Sequence, residues 1–480
     1  MPIVTPKLII NNQEMPCISG KQMMLIDPST GKEWYSVDEA DSEDVEVAVK
    51  HAEAAWPTWS ATHAAVKAAT MRKFAGLIRK NAKELAEVEA RTMGRPVSLL
   101  NFDLAVAPAI FDYIASLVET AHSTLTTNTP GLLSYTLNQP YGVTAGIIPW
   151  NVPMLMFAFK VAPAVGAGNA IIIKSSEKAP LTPLMLGKLA VEAGFPPGLI
   201  QVLSGYGPTV GATLARHMKI RKISFTGSLG VGRLIQKMSS ESNLKAVTLE
   251  LGGKSPTIVF PDADLPSAAK QLAHSILMYS GQSCMCTSRL YIHSSIAEEF
   301  TKLYQKAIEA QASVIGSAMD EKTTHGPQVD KIQHDKIKHY IEVGKTEGNV
   351  LLGGQNLNQD GFFIQPTVFT DVKDDAVIVR EEIFGPVSVL STFETEEEAI
   401  QRANDSEYGL YASVFSKNIN RATRVASALD AGSVGVNCTS PTLAPDMPFG
   451  GYKQSGLGRE LGPSCLYAWK QTKSVFVKLD

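Results

Sequence analysis

From Tyr141 onward, short and mostly apolar runs alternate with longer ones of helical length. Residues 142–148, 170–173, 200–203, 222–225, 246–249 and 256–260 read as buried strands. Between them, residues 154–165, 181–192, 210–217 and 230–238 read as helices. Gly194 and Pro196 stop the second of these. Strands that alternate with helices predict an α/β fold built on a mostly parallel sheet covered on both faces. A second α/β series runs from Asp264 to about Gly451, with helices at 265–278, 296–310, 396–404 and 422–429 and strands at 290–293 and 386–393.

Upstream, residues 43–56 and 63–92 have helical patterning, the latter ended by Gly94 and Pro96. Residues 132–137 and 472–479 alternate apolar and polar positions and read as short edge strands available to another subunit. No internal repeat or low-complexity linker appears, and Gly252-Gly253 is the best boundary between the two α/β series.

Composition narrows the class. A chain of 480 residues exceeds one compact core and predicts two or three domains. Its net charge of -3 offers no basic footprint for nucleic acid or an anionic membrane. The longest apolar region, residues 143–173, is interrupted by Pro149, Asn151, Pro153, Lys160, Pro163 and Asn169, so no membrane span is expected. The first residues lack the layout of a secretory signal. Cys17, Cys284, Cys286, Cys438 and Cys465 read as reduced thiols, and Cys284 with Cys286 lacks the second pair that a zinc site needs. A cytoplasmic location, with no metal, is expected.

The candidate chemistry lies past the predicted strand ends, where ligands bind in parallel sheets. Cys284 follows a helix ended by Ser280-Gly281 and sits on a loop, a place for a nucleophile. Glu250 closes an apolar strand, where burial would raise its pKa toward that of a base working near neutrality. Asn151, set between Trp150 and Val152 in a proline-bounded turn, offers an amide N–H to an oxyanion. Gly227, Ser228 and Gly232 lie in a strand-to-helix loop whose backbone can face a pyrophosphate. Lys174 and Glu177 follow a strand, and a carboxylate there accepts from ribose hydroxyls and repels a 2'-phosphate, which favours NAD over NADP.

These segments, in order, resemble the aldehyde dehydrogenase superfamily over nearly the whole chain. They are Ile148-Pro149-Trp150-Asn151, Lys174-Ser175-Ser176-Glu177, Gly205-Tyr206-Gly207-Pro208-Thr209, Phe225-Thr226-Gly227-Ser228, Leu249-Glu250-Leu251-Gly252-Gly253-Lys254 and Gly281-Gln282-Ser283-Cys284, followed by Glu381-Glu382-Ile383-Phe384-Gly385-Pro386 and Pro448-Phe449-Gly450-Gly451. The resemblance implies a Rossmann-like cofactor domain (1–120 and 141–252), a second α/β catalytic domain (253–453) and a small bridging sheet for oligomerisation (121–140 and 454–480), assembled as a homodimer or homotetramer. It implies Cys284 as nucleophile, Glu250 as general base and Asn151 as oxyanion donor. Ile148, Trp150, Lys174, Glu177, Gly207, Gly227, Ser228, Gly232, Glu382 and Phe384 would hold NAD. Lys160 and Glu460 match a proton relay.

The implied reaction oxidises a small-molecule aldehyde to the acid. A CoA-acylating branch is the alternative, disfavoured by the presence of Glu250; a catalytically silent relative is a further one. Val152 stands where the family often has Phe, and Met278 and Leu443 stand near aromatic positions. With Val152, Met156, Phe159, Met278, Ser283, Met285, Leu443 and Phe449 as walls, the expected substrate is bulky or apolar.

Overall fold

The computed structural model describes residues 6–357 and 359–479. The first five residues, where the absence of a secretory signal is expected, lie outside them, as does Asp480. Five parallel strands form the centre of the first large sheet: β1 (Val143–Ile147), β2 (Ala170–Ser175), β3 (Ile200–Ser204), β4 (Lys222–Thr226) and β5 (Ala246–Glu250). Their spatial order is β3-β2-β1-β4-β5, so the winding direction reverses between β1 and β4. β1 to β4 are buried along their whole length, as parallel strands covered on both faces must be. The short strands Leu8–Ile10 and Gln13–Met15 extend the sheet beyond β3, and Gly456–Leu457 pairs antiparallel with β5.

The second large sheet contains β6 (Ser255–Val259), β7 (Thr287–His293), β8 (Asn349–Leu352), β9 (Thr367–Thr370), β10 (Val387–Phe393), β11 (Tyr411–Phe415) and β12 (Ser433–Val436). Its order is β8-β9-β10-β7-β6-β11-β12, with β8 antiparallel and the rest parallel. A third sheet joins Leu125–Thr126, Leu132–Pro140 and Lys470–Lys478. The two predicted edge strands are each other's partners here, in register from Lys470↔Pro140 to Lys478↔Leu132.

Three details differ from the pattern-based reading. The single helix expected over 63–92 is two, Ala64–Lys80 and Ala82–Met93, broken at Asn81, whose side chain bonds back to Leu77 O. Gly94 does end the second one, in the left-handed conformation. Residues 207–211 form a wide π turn ahead of a short helix, Ala212–Arg216. The segment 454–480 does not act as one unit: Gly456–Leu457 belongs to the first large sheet, and Lys470–Lys478 to the small one.

Two long helices were not anticipated. Asn101–Thr120 is long and apolar enough to cross a membrane, but Ala107, Ile110, Phe111, Ile114 and Ala115 are buried in the main core, where Phe111 meets Phe74 edge-on at 4.8 Å. It reads as a core helix. Lys331–Glu347 starts at Asp330, whose side chain accepts from Gln333 N–H, and buries Gln333, Ile337, Ile341 and Gly344.

Candidate active site

The carboxyl ends of β1, β4 and β5 open on a cleft of about 700 Å3. Its lining includes Trp150, Asn151, Val152, Met156, Gly227, Ser228, Glu250, Cys284, Glu382 and Phe384. Lys174 is the penultimate residue of its strand and Glu250 the last of its own, rather than residues just beyond them.

Cys284 is held by its backbone. A Cβ on Gly253 would lie 2.4 Å from Cys284 O, and one on Gly281 would lie 2.0 Å from Gly385 C. Both positions therefore need glycine, and Gly281 also has φ 77. Asn151 Nδ2 donates to Gln282 O at 2.9 Å, tying the proline-bounded turn after β1 to the cysteine loop. One amide N–H is used in that bond and the second is left for a ligand.

Glu250 is almost fully buried, and neither carboxyl oxygen has a hydrogen-bond partner among the described residues. Burial pushes its pKa up to about 8; Lys160 and the neighbouring Cys284 thiol oppose this, while Glu460 and Glu382 add to it. The Cys284 thiol is pushed well above its ordinary value, first by burial and then by Glu250 and Glu382. In this state the thiol is neutral, and a positive charge bound in the cleft would lower its pKa.

Behind Glu250 a polar stripe crosses the sheet face, because alternate residues of β4 and β5 point the same way. Lys160 Nζ donates to Thr226 Oγ1 at 2.7 Å and pairs with Glu460, and Ser224 Oγ donates to Glu460 at 2.9 Å. Lys222 Nζ donates to Thr248 Oγ1 at 2.8 Å further down.

The crevice between β1 and β4 fits a dinucleotide. No side chain caps the N-terminus of the helix Leu229–Glu241 at Ser228, so its N–H groups face outward. Gly227 lies against the Phe225 ring, 2.6 Å from where a Cβ would sit, and Gly232 lets that helix close on Leu251. At the far end, Lys174 is buried with a lowered pKa, chiefly from desolvation, and touches Glu177 at 3.2 Å, leaving donors and acceptors for a diol. Ile148 N–H donates to Lys174 O, and Gly207 opens the turn after β3. At the near end, Glu382 accepts from Gly253 N–H at 2.9 Å, and the Phe384 ring meets Trp150 edge-on at 5.5 Å. Among the described residues no cluster of His, Cys, Asp or Glu is placed to hold a metal ion.

Of the expected wall residues, Val152 and Met156 line the cleft. Phe159, Met285 and Phe449 are buried in the main core, with Phe159 and Phe449 in edge contact at 5.9 Å. Met278 and Leu443 are partly buried against that core, and the buried Ser283 accepts from Met285 N–H. The cleft also contains Gln333 and Lys336, which pattern reading missed. Gln333 Nε2 donates to Ile383 O and Phe384 O, and Lys336 Nζ donates to Glu382 O. The signal was present in the i, i+4 spacing of Gln333, Ile337 and Ile341 behind the cap Asp330.

A dinucleotide crevice that leads to a half-buried thiol and a buried carboxylate defines a dehydrogenase with covalent catalysis as its class. The sequence profile described as the aldehyde dehydrogenase family matches residues 17–475. Human (Homo sapiens) retinal dehydrogenase 2 is 43% identical over 479 residues, covering 98% of this chain and 92% of that protein. Aldehyde dehydrogenase 1A1 of Mesocricetus auratus is 42% identical, covering 99% and 95%. An indole-3-acetaldehyde dehydrogenase of P. syringae, solved with NAD+ and IAA, superposes with a TM-score of 0.97 at 37% identity, covering 99% and 97%. The chain belongs to the aldehyde dehydrogenase family. It is an oxidoreductase that converts an aldehyde to a carboxylic acid.

Proposed function

We propose that Cys284 is the nucleophile, Glu250 the general base, and Asn151 with the Cys284 backbone N–H the oxyanion donors. The observation that carries this reading is their convergence on one cleft floor, with the Glu250 carboxyl unpartnered beside the thiol. Cys284 Sγ attacks the aldehyde carbon as the thiolate, its proton having left to solvent once a positive charge bound in the cleft lowers its pKa. The free Asn151 N–H stabilises the alkoxide that forms. NAD is the cofactor and accepts the hydride as the carbonyl reforms, leaving a thioester on Cys284. Glu250 then removes a proton from water as that water attacks, the C–S bond breaks, and the acid leaves. Thr226, Lys160 and Glu460 carry the proton away along the polar stripe.

Trp150, Gly227, Ser228, Gly232, Glu382 and Phe384 hold the pyrophosphate and nicotinamide halves, with Ile148 and Gly207 along the same rim. Lys174 and Glu177 hold the adenosine ribose, and Glu177 disfavours a 2'-phosphate.

The substrate is a bulky apolar aldehyde. The apolar Val152 and Met156 at the cleft support this, as do relatives named for retinal and indole-3-acetaldehyde. A panel that shows preference for betaine aldehyde would overturn it. The division into cofactor, catalytic and bridging parts follows the three sheets, with the boundary at Gly252-Gly253. Leu125 and Phe476, exposed on the small sheet, and Leu479 just past its end suit a homodimer or homotetramer. Five free cysteines suit the cytoplasm.

Mass spectrometry of protein mixed with a good aldehyde and NAD should find acylation at Cys284. Cys284→Ala should abolish NADH formation and leave NAD binding intact; acylation elsewhere overturns the assignment.

A further inference from the structure

The loop that presents Cys284 has an unusual backbone. Tyr279 (φ 55, ψ 27) and Ser280 (φ 55, ψ 39) are consecutive non-glycine residues in the left-handed region, followed by Gly281 at φ 77. Side chains rarely adopt that region, so the surrounding structure must hold it. Ser280 Oγ donates to Gly326 O at 2.8 Å, and Gln328 Nε2 donates to Ser280 O at 3.1 Å. Gln282 is clamped at both ends of its amide, to Tyr279 O and Val329 N–H, each at 2.9 Å.

Tyr279 has the deepest anchor. Its hydroxyl donates to Asp103 Oδ1 at 2.8 Å, in the first turn of the helix Asn101–Thr120. Asp103 is paired with Arg95, whose guanidinium lies 3.7 Å over the Tyr279 ring. Arg95 also donates to Leu99 O. The fully buried Glu89 sits beside this pair and accepts from Met154 N–H at 2.9 Å, at the start of the helix that follows Asn151. One buried cluster therefore reaches the cysteine loop through Tyr279 and the asparagine turn through Glu89. None of its members lines the cleft.

We propose that Tyr279 is a positioning residue. Through Asp103, Arg95 and Glu89 it holds the left-handed turn that aims Cys284 Sγ, and it sets that turn in register with Asn151. The proposal rests on the assignment of Cys284 as nucleophile. Its physical basis is that a reacting atom displaced by about 1 Å loses roughly a hundredfold in rate, so a loop held in a strained backbone depends on its anchor.

Tyr279→Phe removes the hydroxyl and keeps the ring under Arg95. The pre-steady-state NADH burst and kcat are expected to fall about tenfold, with KM for NAD within about twofold, since the crevice at β1 and β4 is untouched. Tyr279→Asn is the second variant: Asn tolerates the left-handed backbone but does not carry the phenol, so it should fold and still lose the burst rate. A merely structural residue would lower the melting temperature and leave the burst rate of the folded variant unchanged, and that result in either variant overturns the proposal. Cys284→Ala, assayed alongside, separates the two layers. If it is inactive while Tyr279→Phe is fully active, this inference alone fails. If it is active, the assignment beneath it fails.

Discussion

In the first large sheet, counting outward from β1, the strands run third, second, first, fourth, fifth. The second sheet repeats this with β10, β7, β6, β11 and β12. Each has a reversal point where ligands bind in such folds, between β1 and β4 and between β6 and β11. At the first, the loop carries Gly227 and an uncapped helix N-terminus. At the second, the space is filled from within. Asp262 accepts from Ser416 Oγ at 2.9 Å, from Asn418 N–H at 2.9 Å and from Arg421 at 3.1 Å. Asn418 in turn caps the helix Ile419–Ala428. Burial alone would raise the Asp262 pKa, but these hydrogen bonds hold it below the ordinary carboxylate value. The second sheet supplies its own anion where the first leaves room for a phosphate. Topology nominates a place for a site, and local side chains decide whether it stays open.

The sharpest way to probe the open crevice is through the proposed base. Glu250→Gln should retain one NADH per active site in the burst and lose about a hundredfold or more in steady turnover, as removal of a general base does. Normal turnover would show that another group activates water. The same carboxyl sets a pH dependence. It titrates at about 8, and only its ionised form takes a proton from water, so hydrolysis of the thioester should rise as pH climbs toward and through that value. Single-turnover decay of the acyl-enzyme across that range would read it, and a flat profile would contradict the assignment.

A smaller effect is expected at the cofactor rim. Gly252→Ala places a Cβ 2.2 Å from Glu382 Oε2 and must displace that carboxylate. KM for NAD should rise about tenfold, as the loss of one well-placed polar contact would give. The matched change in the closed crevice is Asp262→Ala. It should leave NAD affinity and kcat unmoved and cost about 1–2 kcal/mol in urea unfolding, because Ser416 and Asn418 lose their acceptor. Altered NAD affinity in Asp262→Ala would erase the contrast between the sheets.

Much of the first sheet was legible because its signal is local. A run such as residues 170–173 is apolar at every position, which suits a strand buried on both faces. The carboxylate and the amide stood out at or just past the ends of such runs, and the cysteine on a loop after a predicted helix. Other features depend on distant residues. The break at Asn81 occurs inside a continuous helical pattern. The apolar composition of Asn101–Thr120 does not say that Phe111 will meet Phe74. Val152, Met156, Phe159, Met285 and Phe449 all belong to the main core, and the fold alone puts the first two on the cleft as well, because hydrophobicity does not distinguish a core from a pocket.

The amino-acid order alone determined the alternation of strands and helices, the positions where chemistry would lie, and the family to which the chain belongs. These follow from period, turn chemistry and motif, each read within a few residues. Tertiary structure alone decided that Glu250 would be unpartnered beside a thiol 34 positions away, that Tyr279 would be held left-handed by Asp103, and that one crevice would be open and its counterpart filled. Each of these depends on which groups meet across the fold and how little water reaches them, and such proximity is set by packing rather than by neighbours along the chain.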